Sequence, residues 1–352
     1  MKKKLKIAQL APFEEKVPPA KYGGVELIIY NIIEELIKRG HKVTLFATGD
    51  SKTSAKLFPV FPKSLRSLPE ISSDLKTREA YKIFGVTEII TALNKEKFDI
   101  IHNHINWRIL AFSPFLKDPL VTTLHGTLNI KYQNLFFKKF SKQSYVSISK
   151  SQRKPLPNLN FIGNVYNGID INIFSFNKKP KNYLAFLGRM SPEKGPVEAI
   201  KIAKRVKMKL IMAAKIDIVD KKYFSKQVKP LIDEKQIKFI GEIGHKKKVE
   251  LLKNAKALIA PIQWEEPFGL FLIEPMACGT PVIVFDRGSA REIVKDGKTG
   301  FIVKNISEAV KAVKKINRID RMDCRKHVEK NFTVERMVDE YEKVYYKILN
   351  KK

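Results

Sequence analysis

The sequence predicts an α/β protein of two doubly wound, Rossmann-like domains. Three observations point there. Apolar runs of about five residues bounded by glycine and proline suit strands covered on both faces, and Ala257–Ile262 and Val282–Phe285 are the clearest of them. Strand-like and helix-like segments alternate in two successive series. A chain of 352 residues is long enough for two such domains.

Taken in order, Leu5–Ala11 reads as a strand stopped at Pro12. The apolar run at the start is too short for a signal peptide or a membrane span. After a loop come Gly23 and Gly24, then Val25–Lys38 with apolar residues at Val25, Ile28, Ile29, Ile32, Ile33 and Leu36, one helical face. Gly40 and His41 close that helix, and Lys42–Ala47 is a second strand. In this βαβ unit Gly23 and Gly24 would let backbone amides approach an anion at the helix start. Thr53–Ser72, broken by proline, reads as a loop with short elements. Arg78–Leu93 suits a helix, Phe98–His104 a strand and its end, and Leu120–Leu124 a strand that delivers His125 and Gly126 at its carboxyl end. His102 and His104 fall on one strand face with the spacing of half a metal site, but no acid or cysteine partner is nearby in the sequence, and a structural or acceptor-side role is expected in preference. Tyr145–Ser149 is a strand whose Ser149 is placed to cap a helix after it. Phe176–Lys181, bearing proline and lysines, reads as the hinge. The expected division is therefore residues 1–176 and 177–332, followed by a terminal helix, Thr333–Leu349 within residues 333–352.

The second series runs strand Tyr183–Leu187, helix Glu193–Val206, strand Leu210–Ala213, helix Lys222–Glu234, strand Ile237–Ile240 and helix Lys246–Asn254. After strand Ala257–Ile262 a polar turn, Gln263–Glu266, leads into a helix opening at Pro267, Phe268 and Gly269. Ligands of parallel sheets sit outside the carboxyl ends of the strands, where Glu265, Glu266 and Gly269 fall. Glu266 and Glu274 lie eight residues apart, roughly 12 Å along a helix. They are too distant to share a proton and suit two grips on different hydroxyls of one extended ligand. A helix N-terminus between them offers free N–H groups to a phosphate. Pro275 removes a backbone donor just after Glu274, so the helix is either short or kinked there. Trp264 and Glu265 add bulk and charge beside Glu266. The run Gly188-Arg189-Met190-Ser191-Pro192-Glu193-Lys194-Gly195 comes directly after a strand, and two cations braced by glycines suit a diphosphate.

The segment Glu266-Pro267-Phe268-Gly269-Leu270-Phe271-Leu272-Ile273-Glu274, with Trp264-Glu265 before it and Met276-Ala277-Cys278-Gly279-Thr280-Pro281-Val282-Ile283 after it, resembles glycosyltransferase family 4. These are retaining transferases of GT-B architecture, and the family's signature is two glutamates separated by seven residues. The wording is most similar to the subgroup that holds antibiotic and pterin glycosyltransferases. The resemblance implies two Rossmann-like domains facing across a cleft, with Asn164–Asp170 as the last strand before the linker, the helix Thr333–Leu349 crossing back to the first domain, and the Gly23–Gly24 loop near the donor phosphates and acceptor. It implies that His125 points at the donor sugar. Arg189 and Lys194, with Gly188, clamp the diphosphate and stabilise the leaving group. Glu274 holds the ribose, and Glu266 holds the donor sugar with help from the backbone at Phe268, Gly269 and Leu270. The implied reaction is transfer of a hexose from a nucleotide diphosphate sugar, a UDP-sugar on frequency, to an acceptor hydroxyl in glycan or glycolipid biosynthesis. The family route is front-face, the departing phosphate helping to take the acceptor's proton. Glu266 as a nucleophile is the alternative. No Asp-x-Asp motif occurs, so no metal is expected, nor any cofactor, the nucleotide sugar being a substrate.

Hydrophobic residues make up 44% and charged residues 29%, the balance of an ordinary globular protein. Cys278 and Cys324 have no metal or redox spacing and fit a reducing cytoplasm. The net charge of +31 is spread over both halves, with 27 Lys and Arg against 14 Asp and Glu up to Phe176 and 40 against 22 beyond it. This reads as a lysine-rich solvated surface, or as attraction to anionic membrane lipid or a phosphorylated acceptor. A cytoplasmic location with peripheral contact at the inner face of the membrane is expected, and nucleic acid is not, because no module motif is present. The acceptor, a lipid-linked glycan or a small molecule, would be read by loops near Pro12–Tyr22, Ser51–Ser73 and Asn103–Arg108. The competing readings are a GT-B-shaped sugar-nucleotide epimerase or sugar phosphorylase, a non-enzymatic cleft-binding module, and a basic nucleic-acid binder.

Overall fold

The computed structural model describes residues 3–20, 23–72 and 74–350, so Lys21, Tyr22 and Ser73 of the expected acceptor loops lie outside the described residues. The chain divides into two compact units, residues 1–168 with 334–352, and residues 169–333.

The first unit holds, among the described residues, a seven-stranded sheet in the order β3-β2-β1-β4-β5-β6-β7. Its strands are β1 (Lys6–Leu10), β2 (Lys42–Thr48), β3 (Lys56–Phe61), β4 (Ile100–Asn103), β5 (Leu120–Leu124), β6 (Ser144–Ser147) and β7 (Phe161–Asn164). All neighbouring pairs are parallel. β1, β4 and β5 are covered on both faces, with Ile7, Leu10, Ile100 and Val121 fully buried, and buried polar residues are confined to their carboxyl halves. Strand β3 lies in the stretch expected as a loop with short elements. Its Pro59 is tolerated because β3 is the sheet edge, and the register slips between Ala47 and Thr48 where Phe61 replaces the next partner. Helix Gly24–Lys38 buries the predicted face, Ile28, Ile29, Ile32, Ile33 and Leu36. Helix Leu75–Leu93 starts ahead of the expected Arg78 because the Asp74 carboxylate accepts from the amides of Lys76 and Thr77. A helix at Lys131–Lys139 was not anticipated.

Helix Val334–Leu349 belongs to this unit. Arg39 donates to Asp339 and Glu342 at 2.7 Å each, and His41 Nε2 lies 2.9 Å from Glu342. Tyr341 and Tyr345 on its inner face are fully buried.

The second unit holds a parallel sheet in the order β10-β9-β8-β11-β12-β13: β8 (Tyr183–Arg189), β9 (Lys209–Lys215), β10 (Ile237–Phe239), β11 (Ala257–Ala260), β12 (Val282–Phe285) and β13 (Gly300–Val303). Counted within the unit this is the order 3-2-1-4-5-6, and the first unit shares its core. The winding reverses between β1 and β4 and again between β8 and β11, which opens a crevice outside their carboxyl ends.

Three segments differ from the reading of the sequence. The expected helix Glu193–Val206 is a tight turn at Pro192–Lys194 followed by helix Pro196–Arg205. Gly195 joins them at φ +67, and a Cβ there would sit 2.1 Å from the Pro261 carbonyl. The expected helix Lys222–Glu234 is a succession of short turns from Ile218 to Leu231, consistent with Pro230 denying an amide to the ladder. Asn164–Asp170 is no strand past Asn164. Instead Ile169 bridges Thr333 and the Phe174 carbonyl accepts from Arg325. These contacts draw residues 169–176 into the second unit, ahead of the hinge expected at Phe176–Lys181. Among the described residues no helix is long and apolar enough to cross a membrane.

Candidate active site

In the second unit the predicted residues meet at the carboxyl ends of β8 and β11. Arg189 is the last residue of β8. Its Nε lies 2.9 Å from Asp220 Oδ2 and its terminal nitrogen 3.3 Å from Glu193. The Asp220 contact has the distance of an ion pair without the angle of a hydrogen bond, since neither atom counts as hydrogen-bonded. Burial raises the Asp220 pKa above its ordinary value against the opposing pull of Arg189. Lys194 is ion-paired to Glu266, and the Trp264 indole N–H donates to the same carboxylate oxygen at 2.9 Å. The ammonium group also stands over the rings of Phe271 (4.4 Å) and Trp264 (5.4 Å).

Glu266 is held from behind by the turn after β12. The Ser289 amide donates to the Glu266 carbonyl at 3.0 Å, and the Ser289 hydroxyl donates to the Phe268 carbonyl at 2.6 Å. Gly288 has φ +54, and a Cβ there would lie 2.3 Å from the Glu266 carbonyl oxygen. Gly269, left-handed at φ +88, opens helix Leu270–Ala277, whose first amides lack helical acceptors. The helix has eight residues, so Pro275 sits near its end. Glu274 stays within it, buried and paired to Lys248 at 2.5 Å.

In the first unit His125 follows β5. Its Nε2 lies 2.8 Å from His104 Nδ1. Gln152 donates to the carbonyls of Leu124 and Gly126 at 2.7 Å each and so pins the backbone on both sides of His125. Burial holds the His102 and His104 imidazoles well below the usual range and brings His125 down to about 4. All four ring nitrogens of His102 and His104 already face partners: Tyr345, Thr123, His125 and Gln9. They are therefore not half of a metal site. Among the described residues no group of three His, Cys, Asp or Glu is placed to hold a metal ion. Gly23, at the start of helix Gly24–Lys38, has no room for a side chain, since a Cβ would meet Pro19 at 2.6 Å. Beside it burial raises the Glu26 pKa to about 7, and nearby Glu15 adds to the shift.

Residues 22–172 match the family described as Glycosyltransferase Family 4, and residues 169–331 match the Glycosyl transferases group 1 family. The chain belongs to glycosyltransferase family 4. A phosphatidyl-myo-inositol mannosyltransferase of Mycobacterium tuberculosis is 22% identical over 322 residues, covering 85% of this chain and 82% of that protein. The crystal structure of AviGT4, a glycosyltransferase involved in avilamycin A biosynthesis, superposes with a TM-score of 0.74 at 21% identity over 99% of both chains. HepE from Anabaena, in complex with UDP and glucose, superposes with a TM-score of 0.73 at 18% identity over 97% of this chain and 99% of that one. The fold is thereby that of the GT-B glycosyltransferases.

For this glycosyltransferase the structure brings Arg189, Gly188, Lys194, Glu266, Phe268, Gly269, Leu270 and Glu274 to one end of the second sheet. It places Gly23, Gly24 and His125 at the carboxyl end of the first. Residues not anticipated as parts of the site are Asp220, Lys248, Ser289, Gln152 and Glu26, and Trp264 gains a definite role as a donor to Glu266. Lys248 carried no signal, being one of three consecutive lysines in Lys246-Lys247-Lys248. Nothing in the sequence marked Gly288 as the support of Glu266.

Proposed function

We propose that this glycosyltransferase moves a hexose from a UDP-sugar to an acceptor hydroxyl with retention of configuration, in glycan or glycolipid biosynthesis. One observation carries the reading: the cations Arg189 and Lys194 and the acids Glu266 and Glu274 share the switch point of a single sheet. Arg189, a third exposed, is held at the strand end and is free to turn donors to a diphosphate. Lys194 lies between Glu266 and two aromatic faces, where its charge would stabilise the leaving diphosphate. Glu266, fixed by Trp264 and Lys194, would accept from the donor sugar's hydroxyls. Glu274, one helix length further on, would accept from the ribose. The departing phosphate helps take the acceptor's proton, because no nucleophile other than Glu266 stands in the group. Cationic side chains do the work a bridging metal would do, so neither metal nor cofactor is needed. The UDP and glucose of HepE favour a UDP-glucose-like donor.

The mannosyltransferase relative favours a lipid-borne acceptor. From Pro119 to Ile169 the chain carries seven Lys and Arg and no Asp or Glu. Within that stretch Tyr132 and Leu135 are 55% and 71% exposed on helix Lys131–Lys139. Apolar side chains among uncompensated lysines suit an anionic bilayer surface, and they favour work at the cytoplasmic face of the membrane.

The test is calorimetric binding of UDP, GDP and ADP. UDP should bind preferentially, and Glu274→Ala and Arg189→Ala should each weaken it by about 10- to 100-fold, the value of a hydrogen bond to a charged group. Binding of none of the three would overturn the reading.

A further inference from the structure

Arg189 stands between two acids that hold it unequally. Its Nε lies 2.9 Å from Asp220 Oδ2, and its Nη2 donates to Glu193 Oε2 at 3.3 Å. Nε and Nη2 share one edge of the planar guanidinium, so both acids crowd the same side. The fork at its end, Nη1 with the second Nη2 hydrogen, makes no hydrogen bond among the described residues.

The two acids are mounted differently. Asp220 closes the tight turn Ile218–Asp220 that follows β9, the strand beside β8. The sheet register sets Lys215 of β9 opposite Arg189. The Asp217 carboxylate accepts from the Ile218 amide at 2.7 Å, and the Asp220 amide donates to the Asp217 carbonyl at 2.9 Å. Asp220 is 5% exposed, and its Oδ2 and the Arg189 Nε are both shut off from solvent. Glu193 lies in the turn after β8, with its side chain 45% exposed. One acid is a fixed wall, and the other can swing into water.

Charge decides which of them yields. A diphosphate brings negative charge to the guanidinium and repels both carboxylates. Glu193 can withdraw and hydrate, whereas moving Asp220 would leave a buried charge unpaired. The terminal nitrogens of an arginine match two phosphate oxygens, and that fork is the part of Arg189 left open.

We propose that Asp220 is a positioning residue for Arg189. It holds the Nε side of the guanidinium in place, so that the terminal fork meets the diphosphate in a fixed orientation while Glu193 gives way. Asp220 touches no substrate and acts through Arg189 alone. Fixed orientation matters most as charge grows on the leaving phosphate. In the ground state the Asp220 charge repels the nucleotide, so removing it does not weaken binding. The inference rests on the reading of Arg189 as the diphosphate clamp.

Calorimetry of UDP and the release of UDP from UDP-glucose, with water as acceptor, test it in the full chain. Asp220→Asn keeps the shape and removes the charge. Its kcat should fall by about 10- to 100-fold with no loss of UDP affinity. In an Arg189→Ala background the same substitution should change kcat little, because the group it orients is gone. Glu193→Gln should bind UDP at least as tightly as wild type. Where Asp220→Asn does not fold, ¹⁵N NMR of the arginine side chains in wild type decides. With UDP bound, slow rotation about the Arg189 Nε–Cζ bond should give separate Nη1 and Nη2 signals, assigned by their absence in Arg189→Ala. A freely rotating guanidinium would overturn the proposal. So would a kcat loss that persists without Arg189, an equal loss of UDP affinity in Asp220→Asn, or weaker UDP binding by Glu193→Gln. Unchanged UDP binding in Arg189→Ala would remove the clamp itself, and this role of Asp220 with it.

Discussion

In the first unit the carboxyl ends of β1, β4 and β5 carry Gln9, His102, His104, Thr123 and His125, joined by neutral hydrogen bonds. In the second, the ends of β8 and β11 lead to Arg189, Lys194 and Glu266, with Glu274 and Lys248 on the helices behind them. The two positions are equivalent in the winding of their sheets, yet one is filled with polar groups held neutral and the other with ion pairs. The difference follows from solvation. Neutral groups with every hydrogen bond made can be buried completely at modest cost. Charges need residual water or a charged ligand, and Arg189, Lys194 and Lys248 keep 33%, 15% and 18% of their side-chain exposure. The ionic end is suited to a diphosphate, and the neutral end to sugar hydroxyls that must be oriented without being ionised.

The largest effect expected from this contrast is on catalysis. Arg189→Ala should lower kcat by about 10²- to 10³-fold, the usual loss when a group that stabilises developing charge is removed, whereas Tyr345→Phe should cost about 10-fold or less. Steady-state rates that reversed this order would break the comparison.

Acid should act on the neutral end first. The folded His125 imidazole lies at about 4 against about 6.5 in an unfolded chain. Between those values the unfolded chain binds a proton that the folded one refuses. Stability is therefore full above about 6.5 and falls as pH drops toward 4, by on the order of 3 kcal/mol from His125 alone, with His102 and His104 adding in the same direction. Hydrogen exchange at pH 7 and 4.5 should show protection of β4 and β5 falling more than that of β11 and β12. Equal losses in the two sheets would contradict the assignment.

Next in size is the support behind Glu266. Gly288→Ala forces a Cβ against backbone 2.3 Å away at positive φ, and should cost on the order of 2 kcal/mol together with a raised KM for the donor. Gly126→Ala, where a Cβ would have nothing within 4 Å, is the control and should move Tm little. The smallest effect is none: transfer should persist in excess chelator, as the proposed role of cationic side chains at the diphosphate requires. Abolition by chelator, with recovery on adding Mg²⁺ or Mn²⁺, would require a metal in the ionic half.

Much of the molecule was legible in the sequence because the signals are local. Val282–Phe285 is apolar at every position since both of its faces are covered, and Ile28, Ile29, Ile32, Ile33 and Leu36 mark the buried stripe of a helix whatever it packs against. Arg189 and Lys194 come within a few residues of a strand end, and Glu266 and Glu274 bracket one helix start, so spacing alone put each pair in place. The losses were also physical. Pro59 made β3 look like a loop because the sequence does not say which strand is an edge, the one place where proline's missing amide goes unnoticed. Residues 218–231 have helical composition, but Pro230 and tertiary contacts break them into turns.

By itself, then, the sequence determined the alternation of strand and helix, the strand ends at which the polar and charged groups gather, and the acids and cations of the ionic half. The tertiary structure alone decided the partners. Lys194 meets Glu266 across 72 positions of chain, Lys248 meets Glu274 across 26, and Gln9 meets Tyr345 across 336. The first pairing follows from the winding, which sets β8 beside β11; the second joins the helices on either side of β11; the third depends on the terminal helix packing on the first sheet. A local pattern of burial carries no record of such packing.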